Sequence, residues 1–118
     1  MIKLAILTEK TLKFAPELVP LVLSGTKHST WRIEDDKDLQ PEDSLTLIRR
    51  PEMTPFARAR VTRVLEKPIG EMKEEDRVGH EKFSSNEVMC KTYSEYYGQT
   101  VTPKTRIKII FFELTERL

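Results

Sequence analysis

The sequence predicts an α+β fold: a small mixed β-barrel with two or three flanking helices. Three observations lead there. The chain has 118 residues, the size of one domain, so residues 1–118 are read as a single unit. Its strand-like stretches follow one another without long helical crossovers, which disfavours a doubly wound parallel sheet. Two other segments carry helical spacing with end signals, so the order reads strand, helix, several strands, helix, strand.

Residues 2–7 (IKLAIL) read as a first strand. Residues 16–24 (PELVPLVLS) form an apolar helical cluster that Gly25 stops, since glycine just past a helix end is a common terminator. Pro20 removes a hydrogen bond and crowds the preceding turn, so this helix is expected to be short or bent. Residues 29–33 alternate as the next strand. His28, Thr30 and Arg32 point one way, and Ser29, Trp31 and Ile33 the other. Residues 34–38 form a charged loop. Residues 44–49 alternate as a third strand, and residues 51–55, bounded by Pro51 and Pro55, turn the chain. A long strand over 56–66 places Ala57, Ala59 and Val61 on one face and Arg58, Arg60 and Thr62 on the other. Ser84 and Glu87 have capping-box spacing, with Val88, Met89, Thr92, Tyr93 and Tyr96 following at helical intervals until Gly98. The last strand, 106–113, turns Ile107, Ile109 and Phe111 inward and Arg106 and Lys108 outward.

Composition excludes several function classes. Twenty Lys and Arg against nineteen Asp and Glu leave a net charge of +1, whereas a tight, sequence-independent RNA binder is normally more basic. One cysteine, Cys90, rules out an internal disulfide, and two histidines make a zinc site improbable. No metal or cofactor is called for. No apolar run has membrane-spanning length, and the N-terminus lacks a secretory layout, so the expectation is a cytoplasmic protein with no membrane partner.

The chemistry-bearing segment is 25–32, Gly-Thr-Lys-His-Ser-Thr-Trp-Arg. A glycine turn delivers Lys27, which can reach the strand face shared by Thr30 and Arg32. A lysine beside a threonine hydroxyl can activate that oxygen as a nucleophile, provided its own pKa falls. A partly desolvated cleft containing Arg32 lowers it. The competing reading is a turn followed by a solvated strand face. His28 reads as a bystander at the rim, and Trp31 and Cys90 as core.

Gly25, Lys27 and Arg32, in the pattern Gly-x-Lys-x-x-x-x-Arg after a helix and before strands, resemble the ASCH domain family. Residues 39–45, 56–64 and 96–100 are similar to later parts of that pattern, although Glu42 stands where a glycine is usual. The resemblance implies a PUA-like β-barrel and a link to RNA and nucleoside chemistry. Within the family the chain looks most like the small bacterial 4-acetylcytidine amidohydrolases. That likeness implies Lys27, Thr30 and Glu81 as catalytic residues, Glu81 lying six positions before Glu87. Thr30 would be the nucleophile, Lys27 its activator and Glu81 the proton shuttle in hydrolysis of the amide on N-4 of cytosine. Arg32, Phe14 and Gly25 are the candidate substrate-binding residues, with Phe14 as the stacking wall for the base and Tyr97 as a second choice.

Two alternatives use the same residues differently. One is a non-enzymatic RNA-binding module, supported by the basic rows Arg58/Arg60 and Arg106/Lys108, which could line a phosphate track if their strands are neighbours, and by Arg49-Arg50. The other is an RNA-processing hydrolase acting through the same cleft.

Overall fold

The computed structural model describes residues 10–33 and 37–118. The strand expected at 2–7, and residues 34–36 of the charged loop, lie outside the described residues. Five strands form one mixed sheet: β1 (Lys10–Phe14), β2 (Ser29–Arg32), β3 (Ser44–Arg49), β4 (Thr54–Pro68) and β5 (Arg106–Arg117). Their spatial order is β1-β3-β4-β5-β2, parallel between β1 and β3 and antiparallel elsewhere. Register shifts interrupt the ladder at Leu47/Ile48, Arg58/Ala59 and Val61/Arg63. Such bulges bend a sheet and increase its twist, and this one curls into a half-barrel. Its two end strands approach each other, since Arg32 on β2 donates to the Lys13 carbonyl on β1 at 3.0 Å.

Apolar alternation explains why the sheet holds. On β3, Leu45 and Leu47 are fully buried, and on β4 Ala57, Ala59 and Val61 face the same interior with Leu12, Phe14 and Phe112. The small alanines let the strongly curved strands pack closely. β5 is covered on both faces. Ile110 and Phe112 enter the barrel core, while Ile107 and Ile109 join Trp31, Ile69 and Met89 beneath a helix. Ile107 and Ile109 are thus buried as the alternation predicts, but so are Ile110 and Phe112 on the other face, because β5 is an interior strand.

Two α-helices flank the sheet. The first, α1 (Val19–Leu23), follows a 3-10 turn over Pro16–Leu18; each proline sits in a first-turn position, where its missing N–H leaves no bond unmade. Gly25 then takes φ +84°, and the Lys27 amide bonds back to the Leu21 carbonyl at 3.0 Å. The second helix, α2 (Asn86–Tyr97), is capped by Ser85, whose side chain accepts from the Val88 amide. The cap is one residue later than the Ser84 spacing implies, so Glu87 falls in the first turn and closes no capping box. Val88 and Tyr96 are exposed while Met89 and Cys90 are buried, so the buried stripe is rotated accordingly. Glu42 takes φ +77°, a left-handed conformation that favours glycine. Among the described residues, no helix is long and apolar enough to cross a membrane.

Candidate active site

The α1 exit and β2 place Lys27 and Thr30, and the segment 78–83 brings Glu81 to them. The Gly79 carbonyl accepts from the amides of His28 (2.9 Å) and Ser29 (3.2 Å), and the Ser29 hydroxyl donates to the Val78 carbonyl. The His28 ring lies so close over Gly79 that a Cβ there would sit 2.5 Å from Nε2. Upstream, the buried Asp76 carboxylate accepts from Lys67 Nζ and the Lys73 amide, each at 2.8 Å, which fastens the segment to the end of β4.

Glu81 then meets Lys27. Lys27 Nζ donates to Glu81 Oε2 at 2.5 Å, with Lys27 only 4% exposed and the Glu81 side chain 35%. Burial holds the Lys27 ammonium below the ordinary lysine value; the Glu81 hydrogen bond and charge oppose this, and the nearby Arg32 charge adds to it. Burial raises the Glu81 carboxyl, but the Lys27 hydrogen bond and surrounding charge outweigh it, so its pKa falls below the usual range. His80 stacks on Trp31 with ring centroids 3.6 Å apart and planes 8° from parallel. Its Nδ1 lies 2.9 Å from the Glu81 carbonyl. Burial and the Lys27 charge push His80 down to about 4, so it is neutral at physiological pH.

Lys27, Thr30, Arg32 and Glu81 all line one cavity of about 190 Å³. Thr30 is 5% exposed, and its hydroxyl has no hydrogen-bond partner among the described residues. Trp31, Phe83, Tyr93 and Tyr97 supply aromatic walls to the same cavity. Burial, with neighbouring Tyr97 and Glu81, raises the Tyr93 phenol, which stays protonated.

Other candidates occupy different places. Phe14 borders the cavity, but it is 2% exposed, packs against Phe56 and Phe112, and carries the Arg32 guanidinium 5.7 Å from its ring centre. The face a base would stack on is therefore taken, and Phe83, Tyr93 and Tyr97 are the better-placed rings. Gly25 does not line the cavity; its left-handed φ shapes the turn that delivers Lys27. Arg58 and Arg60 lie opposite Glu116 and Glu113, while Arg106 and Lys108 lie opposite Pro68 and Glu66 at the far end of the same ladder. The two basic rows are thus not side by side. Among the described residues, no three His, Cys, Asp or Glu side chains gather to hold a metal. His80 and Tyr93 were not singled out as site residues by sequence reasoning, and Arg50 was read only as part of a basic surface, since each meets the site only through the fold.

No protein-family model and no curated protein sequence matches the chain. Solved structures do. An ASCH domain from Lactobacillus crispatus JV V101 superimposes with a TM-score of 0.71 at 12% identity, covering 93% of this chain and 81% of that one. Protein EF3133 from Enterococcus faecalis V583, of the DUF984 family model, gives 0.69 at 20% identity over 86% and 72%. The ASCH protein from Zymomonas mobilis gives 0.61 at 14% identity over 90% and 67%. With its curled mixed sheet and two flanking helices, this chain has the fold of the ASCH domains.

Proposed function

We propose that the protein is an amidohydrolase that removes the acyl group from N-4 of acylated cytosine, converting 4-acetylcytidine to cytidine and acetate. One observation carries the reading. A buried lysine with a lowered pKa, held by the Glu81 carboxylate at 2.5 Å, shares a small cavity with the Thr30 hydroxyl. A lysine amine that shares a cavity with a threonine hydroxyl can activate that oxygen as a nucleophile.

In the proposed reaction Thr30 Oγ attacks the acyl carbon as its proton passes to neutral Lys27. The tetrahedral intermediate then expels the N-4 amine, which takes a proton relayed through Glu81 and Lys27. Water, activated by the same pair, hydrolyses the threonyl ester and releases acetate. Cytosine is a good leaving group, because its ring delocalises the nitrogen lone pair. Burial matters because it favours the uncharged amine that the base step needs.

The test is incubation with 4-acetylcytidine, with and without a chelator, followed by chromatography for cytidine. Release unaffected by the chelator is the expected result. Absence of cytidine from a folded preparation would reject the reading.

A further inference from the structure

We propose that this cavity takes its cytosine as a nucleotide, with the phosphate held between Arg32 and Arg50. The inference rests on the cavity being a cytosine site and names the form of substrate that enters it. Arg50 follows β3 and Arg32 ends β2, and the curl of the sheet brings both to the same cavity wall. Each guanidinium makes one side-chain hydrogen bond among the described residues, and to a neutral acceptor. Arg32 donates to the Lys13 carbonyl at 3.0 Å, and Arg50 donates to the Tyr96 hydroxyl at 2.6 Å. In each, the Nε is buried and has no partner. A third buried donor without a partner, Trp31 Nε1, belongs to the same lining.

Buried guanidinium nitrogens without acceptors are rare in folded proteins, because desolvating them is costly unless something accepts. Arg77 and Arg117 also donate to neutral oxygens, of Asn86 and Leu23, but neither has an orphaned buried nitrogen, and several other arginines face carboxylates. Arg49 bonds Glu52, Arg60 bonds Glu42 and Glu113, and Arg106 lies 3.5 Å from Glu66. Arg32 and Arg50 face no carboxylate among the described residues. Of the charged groups lining the cavity, Lys27 and Glu81 neutralise each other. Lys13, Arg32 and Arg50 then stand against Glu17 alone, a local balance of +2. Paired guanidinium forks match the oxygens of a phosphate, which accepts several charge-assisted bonds at once. Arg32 also borders a neighbouring cleft with Arg106 and Lys108, where Glu66 lies 3.5 Å from Arg106 and offsets part of the charge. With that offset, a free mononucleotide fits better than a phosphate within an RNA chain.

The experiment is calorimetric titration of the wild-type protein with cytidine, cytidine 5′-monophosphate and a short cytidine oligoribonucleotide at two salt concentrations. The mononucleotide is expected to bind at least ~10-fold tighter than the nucleoside, with that advantage shrinking as salt rises. Arg50→Gln, or Arg32→Gln if the first variant does not fold, should remove most of the advantage. Equal affinity for nucleoside and mononucleotide overturns the proposal. Tighter binding of the oligoribonucleotide overturns the mononucleotide form and assigns the phosphate to RNA. Because these are binding measurements on products, they do not depend on turnover. A phosphate preference without hydrolysis of 4-acetylcytidine refutes the enzyme reading alone, and hydrolysis without the preference refutes the phosphate site alone.

Discussion

Breaking the Lys27–Glu81 pair should cost stability asymmetrically, and the asymmetry has a defined pH dependence. Exposed ion pairs contribute roughly 0–1 kcal/mol, and breaking a fully buried one by removing a partner costs about 3–5 kcal/mol. This pair lies between, with a 4% exposed lysine and a 35% exposed glutamate. Glu81→Gln leaves the buried ammonium without the carboxylate it bonds, for which we expect a loss of about 2 kcal/mol at pH 7. For a domain of this size that is a fall in Tm of about 8 °C. Lys27→Met leaves a carboxylate that can turn toward water, so its cost should be nearer ~1 kcal/mol. The double variant replaces both charges and should be no worse than Glu81→Gln alone, giving a favourable coupling of about 1 kcal/mol in the cycle. The sign with pH follows from proton counting. Losing Glu81 removes the two influences that raise the Lys27 pKa, so the folded value drops further below that of the unfolded chain. Between those two values the unfolded state holds more protons, and stability rises with pH. The Glu81→Gln deficit should therefore narrow as pH is raised from 7 toward 10. Thermal melts of the four proteins across that range are the assay. A deficit that widens with pH, or a Glu81→Gln Tm equal to wild type, would refute the reasoning.

Thr30→Val keeps the β-branched shape but removes the hydroxyl; it should fold, bind 4-acetylcytidine measurably, and hydrolyse it about 10³-fold or more slowly in single-turnover assays. Lys27→Ala should be comparably inactive, and the double variant no slower than either single one, because nucleophile and base act as a unit. The value of kcat/KM should rise with pH and level off below the ordinary lysine pKa, as expected if neutral Lys27 is the base; a profile that falls over that range would assign the base elsewhere. Gly79→Ala places a Cβ against the His28 ring at a φ of +79°, for which about 1–3 kcal/mol of destabilisation is expected by thermal melting. Nuclear magnetic resonance titration should find His80 with a midpoint near 4, while a midpoint near 6.5 would show that its ring is not packed against Trp31 as described.

Much of this was legible locally. Residues 44–49 alternate and form β3 over the same span, and Ala57, Ala59 and Val61 are buried as the pattern on β4 requires. Pro20 implied a short or bent helix, and the chain makes a 3-10 turn followed by a single-turn helix. What the sequence hid was set by long-range packing. Residues 10–14 show no marked signal, yet they form an edge strand through pairing with β3. β5 runs to Arg117 rather than 113, because the start of β4 offers it a partner as far as Ala57↔Arg117. The segment 73–82 reads as solvated charge, but Asp76 is 1% exposed and serves as an anchor, which no local pattern distinguishes from its neighbours.

The same contrast explains the candidate site. Lys27, Thr30 and Arg32 lie within six residues, and strand alternation alone puts Thr30 and Arg32 on one face. Glu81 is 54 residues from Lys27, and its approach depends on contacts that carry no sequence signature. The Gly79 carbonyl must accept the His28 and Ser29 amides, and His80 must stack on Trp31. Those two contacts bracket Glu81 on its N-terminal side and fix where its carboxylate can reach. Trp31 therefore has a double role that a core assignment misses. One face of β2 buries it against the helix α2 cluster, while its ring also supports the histidine that precedes the glutamate. A substitution such as Trp31→Leu would keep an apolar side chain in the core but remove the flat surface beneath His80. Its expected signature is a loss of hydrolysis larger than its loss of stability, with Thr30 and Lys27 both intact. Equal proportional losses would reduce Trp31 to packing alone.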